Sequence, residues 1–227
     1  MIGNSFTKEL YNNKVYENKG NSDVIEQVAD EAKVILDVGC GAGDNARILK
    51  KSGKYVTGIT ISNDEASIAR EICDEVIIAN IEDDDPRLTK KYDAIILSHV
   101  CEHLIHPSVA ISKLSRYLVE NGVIIIAVPN TAYYKNRLKL LKGDWTMNES
   151  GPFDKTHLHF YSYRSADTLC NEENLRIVKK IPGQLAMPLW PLRKLLPGFC
   201  KKIDNSLGKY LPNLFSQQVI LVLGIIK

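Results

Sequence analysis

Short apolar runs and amphipathic stretches take turns along the first 130 residues of this 227-residue chain. Val34–Val38, Tyr55–Ile61, Val76–Ala79, Asp93–Leu97 and Val123–Val128 are brief and rich in Val and Ile. Runs of that length and composition read as strands buried on both faces. Between them, Asn45–Lys51, Asp64–Ile72 and Val109–Leu118 read as helices, with Ala66, Ala69 and Ile72 on one face. Pro129 stops the fifth strand, since proline gives no backbone donor. Strand and helix alternating every 20 to 30 residues or so predicts an α/β, Rossmann-like doubly wound sheet with helices on both sides. Such sheets bind ligands at the carboxyl ends of their strands, so chemistry is sought in the residues just after each strand.

The alternation breaks after Asn130. Thr131–Lys142 carries four basic residues and a helical stripe of Tyr134, Leu138 and Leu141, and a turn-rich stretch, Gly143–Asp154, follows. A helix near Arg164–Asn171, a strand near Arg176–Ile181 and a closing strand, Gln218–Ile226, complete the pattern. One domain is expected at this length, in four parts: 1–33 leading in, 34–130 the strand–helix core, 131–163 an insert, and 164–227 completing the sheet.

The first strand ends in Asp37-Val38-Gly39-Cys40-Gly41-Ala42-Gly43. Glycines at alternate positions let the backbone turn sharply and approach a ligand, and the following helix offers its free N–H groups. A nicotinamide loop needs glycine at the sixth motif position; Asp44 stands there instead. No Gly-Lys-Ser/Thr follows, which excludes a nucleoside-triphosphate loop. An acid two residues before the first glycine suits a ligand with a cationic amine and no diphosphate.

With these residues the chain resembles the class I S-adenosylmethionine (SAM)-dependent methyltransferases, small-molecule branch. The resemblance runs from about Val34 to Ile181 and resumes at the last strand. It implies a seven-stranded sheet whose last strand is antiparallel, with a helical lid inserted after strand 5. It implies SAM as cofactor, its methionine part held by Asp37, Gly39, Cys40, Gly41 and Gly43. Thr60 stands where the family usually has an acid for the ribose hydroxyls, and Asn80 where an aspartate often meets the adenine amine. Ile81 and Glu82 would flank the adenine, and the backbone at Ser98 and His99 would line the sulfonium. The segment before the first strand, with Tyr11 and Tyr16, would fold over the cofactor.

All five histidines fall in two windows, His99, His103 and His106, then His157 and His159. Imidazole changes charge near neutral pH and suits proton transfer. Asp154-Lys155-Thr156-His157-Leu158-His159-Phe160-Tyr161-Ser162 resembles a box found in relatives that modify cell-surface polysaccharides, glycolipids and polyprenyl quinones. Asp154 is expected to orient His157 as the general base, with His103 the alternative. The histidine spacing matches no zinc motif and no Cys-x-x-Cys pair occurs, so no metal site is expected.

Charge sharpens the acceptor side. The formal net charge is +2, yet residues 1–130 hold 14 basic and 20 acidic side chains, and residues 131–227 hold 15 and 7. The basic half contains an amphipathic stretch, 188–214, interrupted at Pro197-Gly198 and so read as two short helices. Such a segment can rest on an anionic membrane surface, which fits a lipid-linked acceptor. Nucleic acid is disfavoured, because neither an Asn/Asp-Pro-Pro-Tyr/Phe motif nor alternating basic and aromatic residues occur. Scattered cysteines and a polar start without an apolar signal core point to the cytoplasm, with membrane association an option. The reading is O-methylation of a small-molecule, sugar or lipid-linked acceptor. N- or C-methylation and a non-catalytic SAM-binding partner stand as alternatives.

Overall fold

The computed structural model describes residues 19–83, 86–170, 174–187 and 192–226. Tyr11, Tyr16 and most of the expected N-terminal cover, like residues 188–191 of the amphipathic stretch, lie outside the described residues.

Seven strands form one sheet in the order β3-β2-β1-β4-β5-β7-β6. They are β1 (Val34–Val38), β2 (Tyr55–Thr60), β3 (Glu75–Ile78), β4 (Tyr92–Ser98), β5 (Leu118–Pro129), β6 (Leu175–Leu185) and β7 (Ser216–Ile225). β1 to β5 run parallel, and β7 is antiparallel to both β5 and β6. This is the expected sheet, with the closing strand reversed.

The period-two geometry of strands divides the apolar runs between two cores. Leu36, Val38, Ile95, Leu97, Ile124 and Ile126 point to one face. Ile35, Ala94, Ile96, Ile125 and Ala127 point to the other. Covering both faces requires helices: α1 (Ser22–Ile25), α2 (Asp44–Lys51), α3 (Asn63–Ala69) and α4 (Pro107–Ser115). α2 seats Ala46 and Leu49 on the second core and places Lys50 and Lys51 in its last turn, where the helix dipole favours cations.

Several boundaries differ from the sequence reading, two of them by a change of element type. α4 ends at Ser115, and Leu118 belongs to β5, opposite Tyr92. The expected helix near Arg164–Asn171 is a 3-10 turn over Ser165–Leu169. After β5 the insert carries α5 (Tyr134–Leu141). Its predicted apolar stripe does not face the core, since Leu138 and Leu141 are exposed. The basic stretch forms α6 (Leu192–Leu195), α7 (Pro197–Tyr210) and α8 (Pro212–Phe215), with the break at Pro197. Among the described residues no helix is long and apolar enough to cross a membrane.

The strand order reverses between β1 and β4: β2 and β3 lie to one side, β5 to the other. Chain exits on opposite sides leave a crevice at their carboxyl ends, and ligands of doubly wound sheets bind there.

Candidate active site

A cavity of about 570 Å³ opens at this switch point. Its floor is the glycine loop. Gly39, Gly41 and Gly43 all take positive φ, at 69°, 54° and 88°, a region glycine enters at no steric cost. At Gly39 space matters as well: a Cβ there would lie 2.5 Å from a methyl of Val100. All the residues expected to hold the cofactor line this cavity, except Asp37 and Gly43. Gly43 caps α2.

Asp37 departs from its expected place. It is completely buried behind the loop. One carboxylate oxygen has only a 3.5 Å contact from Asn45 Nδ2, and the other has no hydrogen-bond partner among the described residues. Burial pushes this carboxyl up to about 7, against a weaker pull from Asn45. Cys40 turns its thiol inward, over Gly58 and towards Cys73.

At the end of β2, Thr60 stands in for the family's acid, but an acid is present one step away. Ser62 caps α3 by accepting from Glu65 N, the first half of a capping box. The Glu65 carboxylate reaches past Ser62 and accepts from Thr60 Oγ1 at 2.7 Å, while Thr60 Oγ1 accepts from Ser62 N. Glu65 also lines the cavity. The sequence signal for it was the Ser62-x-x-Glu65 spacing.

The adenine-side residues are engaged with the chain itself. Asn80 donates to Asp83 and accepts from Glu82 N. The Glu82 carboxylate accepts from Ile105 N and His106 N, and its carbonyl from Lys113. Glu82 thus ties the β3 loop to the start of α4.

Beyond β4 the chain enters a 3-10 turn, Cys101–His103. His99 sits at φ 58°, in the left-handed region that non-glycine residues seldom occupy. Its Nδ1 lies 3.2 Å from Glu102 Oε1 and its Nε2 3.1 Å from Gln218 Oε1. Burial opposes charge on both members of the His99–Glu102 pair. Their mutual contact nevertheless holds Glu102 below the usual carboxylate range and His99 above the usual imidazole range. The His99 side chain keeps 40% of its surface accessible, so solvent screens the pair. Gln218 also exchanges hydrogen bonds with Asn21, which bonds Ser98. The sequence reading missed Gln218 and Asn21, because no local spacing joins the last strand and the chain's start to this turn.

The insert closes the far wall. Leu158 N and His159 N both donate to the carbonyl of Glu102. His103 and His157, from segments joined only through this docking, bring their rings to 4.7 Å in an edge-on contact. Asp154 does not play the part expected of it. Its Oδ1 accepts from Thr156 N and Thr156 Oγ1, at 2.8 and 2.6 Å. His157 Nδ1 faces the carbonyl of Pro152 at 3.3 Å instead, and Asp154 acts on it only as a nearby charge. The competing partner is local: Thr156 engages Oδ1 of Asp154 within the same turn. Through Thr156, Asp154 orients the other histidine, since His103 Nδ1 contacts both the hydroxyl and the carbonyl of Thr156. Burial holds His157 below the usual imidazole range. Beside it, Phe160, Trp145 and Phe153 form an aromatic cluster with centroids 4.9–6.3 Å apart.

The profile of the family described as "Methyltransferase domain" fits residues 15–180, well over half of the chain. The chain belongs to this methyltransferase family. SAM is the methyl donor of such enzymes. A ubiquinone biosynthesis O-methyltransferase of Hydrogenovibrio crunogenus is 26% identical over 151 residues, covering 64% of this chain and 63% of that one. The match therefore spans less than two thirds of that relative. A 2-methyl-6-phytyl-1,4-hydroquinone methyltransferase of Synechocystis is 29% identical over 71% of this chain and 50% of its own length. The crystal structure of a SAM-dependent methyltransferase from Archaeoglobus fulgidus shares the fold. It superposes with a TM-score of 0.64 at 18% identity, over 96% of this chain and 94% of that one.

Proposed function

We propose that the protein transfers the methyl group of SAM to a hydroxyl oxygen of a small acceptor with aromatic or lipid character, and that His157 takes the hydroxyl proton. The observation that carries this is the His103–His157 pair in the wall of the cavity whose floor is the glycine loop. Methyl transfer is an in-line displacement, so alignment between loop and insert supplies much of the rate. An oxygen nucleophile must also lose its proton, a contribution of about 10²–10⁴-fold. His157 suits that step: Nδ1–H is given to the Pro152 carbonyl, Nε2 keeps its lone pair, and the depressed pKa keeps the ring neutral. The aromatic cluster beside it and the named substrates of the quinone-pathway relatives favour an aromatic acceptor with an apolar tail.

Methyl transfer from labelled SAM, screened against quinone precursors and cell-envelope intermediates, tests the reading. His157→Gln is expected to lower turnover at least 100-fold while S-adenosylhomocysteine still binds. Undiminished turnover would remove His157 from the role.

A lipid surface as the source of the acceptor has its own support. Leu195, Leu196, Phe199, Tyr210 and Leu211 are exposed beside the exposed Lys194, Lys202 and Lys209. Flotation with vesicles containing anionic lipid should carry the protein upward; failure to float would end this part of the reading.

A further inference from the structure

We infer that Cys40 and Cys73 are a paired oxidation site whose disulfide pulls the glycine loop away from SAM, an inference that rests on that loop being the cofactor's seat. Cys40 lies in the loop after β1, and Cys73 lies between α3 and β3. Both thiols are free and buried. They meet over Gly58 of β2, where a Cβ would lie 2.7 Å from Cys40 Sγ and 3.3 Å from Cys73 Sγ. Any side chain at that position would part the sulfurs. Glycine lets them touch, and Cys40 donates its S–H to Cys73.

That contact makes the two thiols unequal. Accepting the hydrogen bond holds Cys73 below the usual thiol range against the cost of burial, and the Lys50 charge adds to the effect. Donating it, together with burial, holds Cys40 well above that range. Cys73 is therefore the nucleophile and Cys40 the resolving thiol. The oxidant is a peroxide, small enough to reach side chains only 8% and 6% exposed. The Cys73 thiolate attacks one peroxide oxygen. The O–O bond breaks, and the departing oxygen keeps the electron pair and takes up a proton as water. The Cys40 sulfur then attacks the Cys73 sulfenic acid. An S–S bond forms, the S–O bond breaks, and hydroxide leaves with the Cys40 proton as a second water. Two thiols are oxidised to one disulfide, and one peroxide is reduced.

A disulfide holds its sulfurs about 2.05 Å apart, closer than hydrogen-bonded thiols, so one side must move. The Cys73 side is clamped. Cys73 N donates to the Ala69 carbonyl, Asp74 N donates to the Val56 carbonyl, and Asp74 Oδ2 accepts from Val56 N. Cys40 stands between Gly39 and Gly41, both at positive φ and with the conformational freedom of glycine. Gly39 N and Cys40 N share a single acceptor, the Ile59 carbonyl. The loop yields first. Cys40, Gly39 and Gly41 all line the cavity, so a shift of Cys40 towards Cys73 takes the cofactor's backbone contacts with it.

The test treats the full chain with hydrogen peroxide, blocks the remaining thiols and maps linked peptides by mass spectrometry. Two of the five free cysteines should be lost as a Cys40–Cys73 disulfide. Calorimetric affinity for S-adenosylhomocysteine should fall at least tenfold and return with dithiothreitol. Cys73→Ser should bind S-adenosylhomocysteine as the parent does and keep that affinity after peroxide. Cys73→Ala takes its place should the serine variant fail to fold. Absence of the Cys40–Cys73 disulfide overturns the inference, as does an equal loss of affinity in the Cys73 variant. A disulfide that leaves affinity unchanged overturns it as well. A reduced chain that binds no S-adenosylhomocysteine, with the disulfide still formed, overturns the cofactor's seat and supports the thiol pair.

Discussion

Replacing Asp37 by asparagine removes a charge that the fold accommodates poorly. The carboxyl is fully buried, with one oxygen lacking a partner among the described residues and its pKa raised from 3.8 to about 7. Because the folded-state value lies above the unfolded one, the protonated form is favoured in the fold. Well below pH 3.8 the group is protonated in both states and costs nothing. The penalty grows as pH rises towards 7 and is complete above it, at about 4 kcal/mol. That is a large part of the 5–15 kcal/mol typical of a domain. The amide of Asp37→Asn is neutral at every pH, so the variant should gain about 1 kcal/mol at pH 4.5 and up to about 4 kcal/mol at pH 8.5. Urea unfolding at a series of pH values measures the difference. A cationic amine in the cavity should draw the carboxyl back towards its ordinary range. Calorimetry in buffers of different ionisation enthalpy should then show S-adenosylhomocysteine releasing a proton below pH 7 in the parent and none in the variant. If the two proteins respond to pH in parallel, or the variant is less stable at pH 8.5, the account of Asp37 as a strained, titrating carboxyl is wrong.

Three other outcomes follow from the geometry. Gly39→Ala should lower S-adenosylhomocysteine affinity at least tenfold, because its Cβ meets Val100 at 2.5 Å and φ is 69°; equal calorimetric affinity would contradict this. Glu65→Gln weakens the acceptor for Thr60 Oγ1 and should loosen cofactor binding several-fold with turnover at saturating SAM retained; a loss of turnover alone would show that Glu65 serves the acceptor instead. The rate at saturating SAM should fall on the acid side below the ordinary imidazole pKa, as the depressed His157 finally protonates. A pH profile whose acid limb lies above the ordinary value would exclude His157.

The fold was legible in the sequence because parallel strands buried on both faces leave unbroken apolar runs. Val34–Val38 and Val123–Val128 could be placed within a few residues from composition alone. Leu118 escaped because its strand begins with a polar stretch, Glu120-Asn121-Gly122, that shares no pattern with the run after it. At the site, the glycine loop was readable since its chemistry is backbone chemistry and its spacing is local. Gln218, Asn21 and the pairing of His103 with His157 were not, because sheet order and insert docking create those neighbours. Asp154 shows the opposite failure: proximity in sequence suggested a partnership with His157, but Oδ1 accepts from Thr156 within the same turn.

The docking of Leu158 and His159 onto the Glu102 carbonyl bears on how the enzyme guards its methyl donor. SAM is an activated methyl donor, and the glycine loop is built independently of the insert. The groups that would activate an oxygen belong to two segments and become neighbours only when the insert is seated. A donor bound while the insert is lifted therefore faces half a site, with His103 present and His157 withdrawn. Under the proposed role of His157, the two hydrogen bonds that seat the insert on the Glu102 carbonyl are also what completes the site.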